Sequence, residues 1–515
     1  MLFWRVKPLD VILKTAEKKA LKRQLGAFQL TMLGIGAIIG TGIFVLTAEA
    51  AQKAGPGMMM SFIIAGFVCA VAALCYAELA SMVPVSGSAY TYSYAVLGEF
   101  VAWLVGWALI LEYAVAASAV SVGWSGYLVG LLKNSFLHIE IPTALANGPY
   151  AGGIINLPAV FIGLLVTVLL IRGTKESAVV NAFLVTVKVL ALAAFIALSI
   201  PVLNDANFKP FAPLGNAGII GAAASIFFAY VGFDAVSTAA EETKNPQRNI
   251  PIGLIGSLIV CTIFYLLVAA GAIGSYGAQP VMAADGTWLS PGSMELTARC
   301  TELAQAGTEP LVCSREALAH VLRMIGHPMV GNLLGLAAFI ALPSVILMMI
   351  YGQTRIFFTM SRDGLLPPIL SKVHPRFNTP HIVTMMTGLA VMIAAAFLPV
   401  GRLADISNSG TLFAFLVVSL AVMMLRRSEP GRHRPFRTPL VWIIAPLSVI
   451  GCVVLFFYLP RDAKLVFPIW AAIGLFFYFI YGYRKSHMKP GNAPVEDGPR
   501  LEAAPVFHEG PEPGP

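Results

Sequence analysis

Lys188, in NAFLVTVKVLALAAF, and Glu112, in WALILEYAVAAS, are ionisable residues with apolar neighbours on both sides. Lys188 lies about ten residues from either end of its apolar segment, too deep for its stem to carry the ammonium comfortably to a membrane surface. Desolvation disfavours the charged form of a lysine, so such a residue is suited to taking up and releasing a proton. The competing reading is a static buried charge paired with a carboxylate. Glu112 has a matching choice. It serves a proton path or a cationic substrate group, or it is a neutral acid bonded to nearby backbone or a tyrosine.

A second chemical signal is GIGAIIGTGIF, Gly34 to Phe44, in which four of eleven residues are glycine. Glycine costs a helix up to ~1 kcal/mol per residue relative to alanine. Unwound backbone at membrane depth is tolerated only where it is buried in protein or lines a cavity. The half-helix beyond a break presents a positive N-terminal end, which suits a carboxylate. Gly40, Thr41 and Gly42 would supply N–H donors, with the Thr41 hydroxyl as one more. Close helix–helix packing is the alternative use of such small residues. A second interrupted segment, GIIGAAASIFFAYVGFDAVSTAAEE, carries Tyr230, Gly232, Asp234, Ser237 and Thr238 in its later half. Paired broken helices point to a transporter built from inverted repeats around a midplane site.

These residues need elements that hold them at membrane depth, and the composition supplies them. The chain has 515 residues, 57% hydrophobic and 12% charged, where a soluble domain carries about 25% charged. Mean hydropathy is +0.79. Twelve segments are long enough to span a bilayer, at about 28–52, 57–82, 99–131, 154–171, 178–203, 217–239, 250–275, 330–354, 381–400, 404–425, 440–459 and 465–483. A β-barrel would show segments of about ten residues, so the fold class is all-α integral membrane. Residues 1–27 lack the apolar core and cleavage site of a secretory signal.

Lys and Arg set the orientation. With a cytoplasmic N-terminus, 24 of the 34 fall on the inner side, 9 on the outer side, and Lys188 within a span. Both termini are therefore expected in the cytoplasm. The net charge of +8 lies in short blocks between apolar spans, a topology signal that implies no nucleic-acid partner. The reading divides the chain into a cytoplasmic N-terminal segment (1–27), a transporter domain (28–485) and a disordered cytoplasmic tail (486–515). The external loop, about 276–329, holds Cys300 and Cys313, read as a disulfide on an oxidising side or as two free thiols. The other cysteines lie in apolar spans, and no CxxC or CxxH spacing occurs. No metal, no cofactor and no enzyme activity is expected, and no GxxxxGK[ST] motif suggests a pump.

The chain resembles a bacterial permease of the amino acid–polyamine–organocation superfamily, and within it is similar to the cationic amino acid transporter family. The stretches that carry the resemblance are GIGAIIGTGIFVL, CYAELASMVPVSGSAYTYSYAVLGE, FFAYVGFDAVSTAAEETKNPQRNIPIG and MMIYGQTRIFFTMSRDGLLP. The resemblance covers about residues 20–485. It implies twelve helices: a five-plus-five inverted repeat, about 28–203 and 217–425, and two additional helices at about 440–483. It further implies that the substrate carboxylate meets Ile39, Gly40, Thr41, Gly42 and Ile43, and the ammonium meets carbonyls near Phe228, Ala229 and Val231. Lys188 would stand where sodium-coupled relatives hold their ion. Asp234 and Tyr265 are candidate support or gate residues.

Selectivity is read from AFIALPSVILMM, which is apolar and places Leu342 and Pro343 about where a substrate side chain would face. No second acid accompanies Glu112 there, and an unpaired buried cation is costly. Small or medium neutral amino acids are therefore favoured over arginine and lysine. The expected function is proton-coupled uptake of L-amino acids across the cytoplasmic membrane. An uncoupled exchanger and a cationic transporter are the alternatives. Partners are the amino-acid substrate, protons and the lipid bilayer, and a small single-span membrane protein is compatible with this build. Glu78, Glu241, Glu242, Arg355, Arg362 and Asp363 are expected to form an ion-pair network at the cytoplasmic ends.

Overall fold

The computed structural model describes residues 5–7, 25–83, 88–134, 138–173, 178–240, 243–377 and 379–489. Glu241, Glu242 and the tail beyond residue 489 lie outside them. Among the described residues the chain is helical, with two isolated β-bridges and no strand ladder.

The helices that position the site are α1 (Ala27–Ile38), α2 (Thr41–Phe44), α3 (Leu46–Ala54), α4 (Met58–Met82), α5 (Ser88–Val96), α6 (Glu99–Asn134), α7 (Leu157–Arg172) and α8 (Ala178–Ser199). They continue with α9 (Gly215–Ile226), α10 (Ala235–Thr238), α11 (Pro246–Tyr276), α12 (Met294–Gln305) and α13 (Ala317–Met324). The last are α14 (Pro328–Arg362), α15 (His381–Phe397), α16 (Val400–Ser428), α17 (Val441–Tyr458) and α18 (Arg461–Phe477). Eight helices among the described residues are long and apolar enough to cross a membrane, and four shorter apolar ones accompany them. Their length follows from the solvent they face: in hydrocarbon, a helix satisfies its backbone polar groups internally.

The centre is α6, flanked along its length by α14 and α16. A second group packs α11 against α1 and α4. At the edge, α17 and α18 leave Ile450, Phe457, Ile469 and Phe476 exposed, as helices bathed in lipid do. Paired tryptophans zip α18 to α6. Trp107 Nε1 donates to the Trp470 carbonyl and Trp470 Nε1 to the Trp107 carbonyl, each at 2.7 Å.

Two features differ from the sequence reading. The loop at about 276–329, read only as polar, carries α12 and α13. Between α4 and α6 lies α5, a tyrosine-rich helix with almost every residue buried. Its polar hydroxyls hide it from a hydropathy reading, yet Tyr90, Tyr92 and Tyr94 are all 1% exposed.

Candidate functional site

The first glycine-rich segment is broken at Ile39–Gly40. Helix α1 ends at Ile38, and α2 starts again at Thr41. The structure puts Thr41 and Gly42 in the first turn of the new half-helix, directly after Gly40. That first turn has N–H groups with no intrahelical partner. The Thr41 hydroxyl is buried and has no hydrogen-bond partner among the described residues. The second segment breaks after α9: a 3-10 turn, Phe227–Tyr230, leads into extended Val231 and then Gly232 at φ 115° before α10.

The two breaks touch. A Cβ on Gly42 would lie 2.3 Å from the Ala229 Cα, and one on Gly232 would lie 2.9 Å from the Ala37 carbonyl oxygen. Only a bare backbone fits at Gly42, and Gly232 also needs the positive φ that glycine tolerates. The Tyr265 hydroxyl lies 2.9 Å from both the Ile38 and the Ala229 carbonyl oxygens, stitching one break to the other. On the far side of α2, the Tyr127 hydroxyl donates to the Phe44 carbonyl at 2.8 Å.

The end of α1 leaves carbonyls without helical partners. Gly36 is one, because its i+4 partner would be Gly40, across the break. The Lys188 ammonium, 1% exposed, donates to that Gly36 oxygen at 2.9 Å. A cation at a helix C-terminus is favoured by the helix dipole. Val185, one turn before Lys188 on α8, would lie 2.6 Å from a Cβ on Gly36, so this glycine lets α8 approach closely.

Glu112 sits on α6, 0% exposed, and neither carboxylate oxygen has a hydrogen-bond partner among the described residues. Its neighbour Tyr113 donates to Asp234 Oδ2 at 2.9 Å. Further along α6, Gly123 faces Thr41, 2.6 Å from its Cγ2 were a Cβ present. Eleven residues of helix separate Gly123 from Glu112, about 16 Å at 1.5 Å per residue. Leu342 is 0% exposed on α14. Val345, about one turn further, is the α14 residue that lies against Gly40, 3.5 Å from a Cβ placed there. The sequence reading missed Val345, Gly123 and Tyr127, because α6 holds three other glycines and many Ala and Ser, so nothing in the pattern singles these residues out.

Ile39, Gly40, Thr41, Gly42, Ile43, Phe228, Ala229 and Val231 are all buried. Two apolar grooves of about 390 and 410 Å³ lie elsewhere, one along α4 and α11, the other between α6, α7 and α14, and no residue of the breaks lines either. Of the residues expected in an ion-pair network, Glu241 and Glu242 lie outside the described residues. Glu78 binds Arg426 and Arg434, while Asp363 binds Lys7 and Tyr90. Arg355 and Arg362 stack on Tyr351 and Phe358. In the loop between α11 and α14 the sulfurs of Cys300 and Cys313 are bonded.

A multi-pass helical protein whose polar centre lies between two interrupted helices has the build of a membrane transporter. The amino acid permease family profile matches residues 25–480, and the chain belongs to that family. It is 43% identical over 481 residues to the branched-chain amino acid permease BcaP of Bacillus subtilis, covering 93% of this chain and 97% of that protein. It is 42% identical over 484 residues to the methylthioribose transporter of the same organism, covering 94% and 98%. Cationic amino acid transporter 9, chloroplastic, of Arabidopsis thaliana is 35% identical over 415 residues, covering 80% and 68%.

Proposed function

We propose that this permease takes up neutral L-amino acids of small to medium size, branched-chain ones included, and couples their entry to protons. The observation that carries the coupling is the buried Lys188 ammonium on the Gly36 carbonyl, 2.9 Å away at the end of α1. A protonated lysine draws the end of α1 towards α8. A neutral one gives up the charge-assisted bond, so the protonation state is tied to the conformation of the first break.

The substrate carboxylate is taken by the N–H groups of Gly40, Thr41, Gly42 and Ile43, with the Thr41 hydroxyl completing the set. The ammonium is taken by the carbonyls of Phe228, Ala229 and Val231. The side chain lies towards Leu342 and Val345, which are apolar. Glu112 stands about 16 Å along α6 from the Thr41 contact, too far for the side chain of a bound amino acid, and belongs to the proton path on the inner half. The name of the B. subtilis branched-chain relative agrees with a neutral substrate. In this reading twelve helices cross the cytoplasmic membrane, with both termini inside. Repeats of about 28–203 and 217–425 are related by inversion, with helices at about 440–483 added.

The test is uptake of labelled L-leucine into proteoliposomes with and without an inward proton gradient, competed by a panel of amino acids and methylthioribose. Gradient-driven accumulation, abolished by Lys188→Ala and competed by neutral amino acids, is expected. Uptake that ignores pH and needs preloaded amino acid would make the protein an exchanger. Competition by arginine and lysine alone would reverse the substrate assignment.

A further inference from the structure

Helix α14 carries Pro343 in its interior. A proline there has no N–H for the carbonyl four residues back, and its ring crowds that carbonyl, so the helix bends at this point. The carbonyl concerned is that of Phe339. A donor from another helix takes it: Trp124 Nε1 on α6 lies 2.9 Å from the Phe339 oxygen. The indole also stacks on the Phe339 ring, with centroids 5.2 Å and planes 25° apart. Trp124 is 3% exposed, and a buried indole N–H normally finds such a partner. At the same bend the Ser344 hydroxyl donates to the Ala341 carbonyl at 2.7 Å, a back-bond that also bends helices.

Two further side-chain bonds join α14 to α6 in the same antiparallel register. Gln353 Nε2 donates to the Ile110 carbonyl and Asn332 Nδ2 to the Asn134 carbonyl, each at 3.0 Å. These hold the ends of a long contact, and Trp124 holds its middle, where proline has opened the ladder. Pro343 lines the groove beside Trp124 and Phe339, and no residue of the breaks lines that groove. Val345, two residues further on, is the one that lies against Gly40, while Gly123, next to Trp124, faces Thr41. We propose that Trp124 and Pro343 form a positioning hinge. The indole's grip on the freed carbonyl fixes the bend of α14, and the bend sets how closely Val345 stands over Gly40, and with it which side chains the site accepts. Both are positioning residues: they act through Leu342 and Val345 and touch no substrate. The proposal rests on the reading of the paired breaks as the substrate site.

The test measures equilibrium binding of L-leucine and of L-alanine, beside the midpoint of thermal unfolding, on the purified full chain. Trp124→Phe keeps a ring on Phe339 and removes the N–H. Pro343→Ala gives the Phe339 carbonyl back its helical donor. Each should change the leucine-to-alanine ratio of dissociation constants by roughly five-fold or more, since an apolar wall discriminates side chains by fit. In W124F/P343A the carbonyl is satisfied within α14, so the ratio should equal that of Pro343→Ala alone. A lowered midpoint in Trp124→Phe with a parental ratio would make the bond a packing contact and overturn the hinge. A double variant whose change is the product of the two single changes would overturn it too. Where Trp124→Phe does not fold, a parental ratio in Pro343→Ala overturns it alone. Val345→Ala separates the hinge from the site. If it shifts the ratio and the hinge variants do not, the hinge is wrong and the site stands. If Val345→Ala binds both amino acids as the parent does, or the parent binds neither, the site reading falls and the hinge falls with it.

Discussion

Gly42 has the least freedom of any residue at the paired breaks. A single added methyl would sit 2.3 Å from the Ala229 Cα, and what it meets is backbone, which cannot rotate away as a side chain can. Overpacking of this kind costs about 1–3 kcal/mol. Here the strain falls on the groups assigned to the carboxylate and the ammonium. Gly42→Ala should therefore insert in the membrane and lose at least about 90% of leucine uptake, with binding weakened by roughly ten-fold, a change worth about 1.4 kcal/mol. Equilibrium binding measured beside uptake separates this from a failure to fold. Lys188 belongs to the same scale. Its ammonium donates to the Gly36 carbonyl, an acceptor without a helical partner because the helix stops two residues later.

At the scale of elements, two broken helices have to be held in register without the ladder that holds a continuous one. Tyrosines do this. Tyr265 spans the Ile38 and Ala229 carbonyls, and Tyr127 takes the Phe44 carbonyl where the bend at Val45 disturbs the ladder. Removing a hydroxyl from a buried carbonyl costs about 1–3 kcal/mol when nothing replaces it. Tyr265→Phe should lower the midpoint of thermal unfolding in detergent. It should also reduce the gain in that midpoint on adding L-leucine, because the breaks no longer hold their relative position. A lowered midpoint with an undiminished leucine gain would leave Tyr265 a packing residue only.

At the scale of the whole molecule, Glu78 ties the C-terminal end of α4 to α16 and to the loop after it. It is 1% exposed, accepts from Arg426 Nε and Nη2 at 2.7 and 2.8 Å and from the Thr438 N–H at 2.8 Å, and is ion-paired with Arg434, whose Nε lies 3.2 Å from Oε1. Taking one partner out of such a buried cluster costs about 3–5 kcal/mol. Glu78→Ala should sharply reduce the yield of folded protein, and an unchanged yield and melting midpoint would contradict this account. In the loop between α11 and α14, His320 is 7% exposed and its ring bonds the Glu309 carbonyl at 2.9 Å. Burial holds its imidazole below the ordinary value of 6.5. A histidine kept neutral by the fold destabilises it once the unfolded chain can protonate, so His320 contributes a loss of stability as pH falls below 6.5. Proteolysis of this loop should speed up between about pH 6.5 and 5 in the parent. The increase should shrink in His320→Gln, and an identical pH response in both would remove His320 from the explanation.

The sequence by itself determined the class of the molecule. Runs of apolar residues too long for a soluble core leave a helical membrane protein as the outcome, because lipid offers no partner to an open backbone. It also exposed the two glycine-interrupted segments and the lone ionisable residues Lys188 and Glu112, since each is an exception within an apolar run and exceptions are visible without coordinates. Only the tertiary structure decided what these exceptions touch. That Lys188 meets Gly36, that Tyr265 joins both breaks, that Val345 lies against Gly40, and that Trp124 takes the Phe339 carbonyl are contacts between residues up to several hundred positions apart. Helix α5 was hidden for a related reason: a hydropathy pattern scores hydroxyls as polar and cannot register that tertiary packing has buried them. Periodicity and composition report the solvent a segment prefers; which atom of which neighbour satisfies a buried polar group depends on the packing of whole helices against one another.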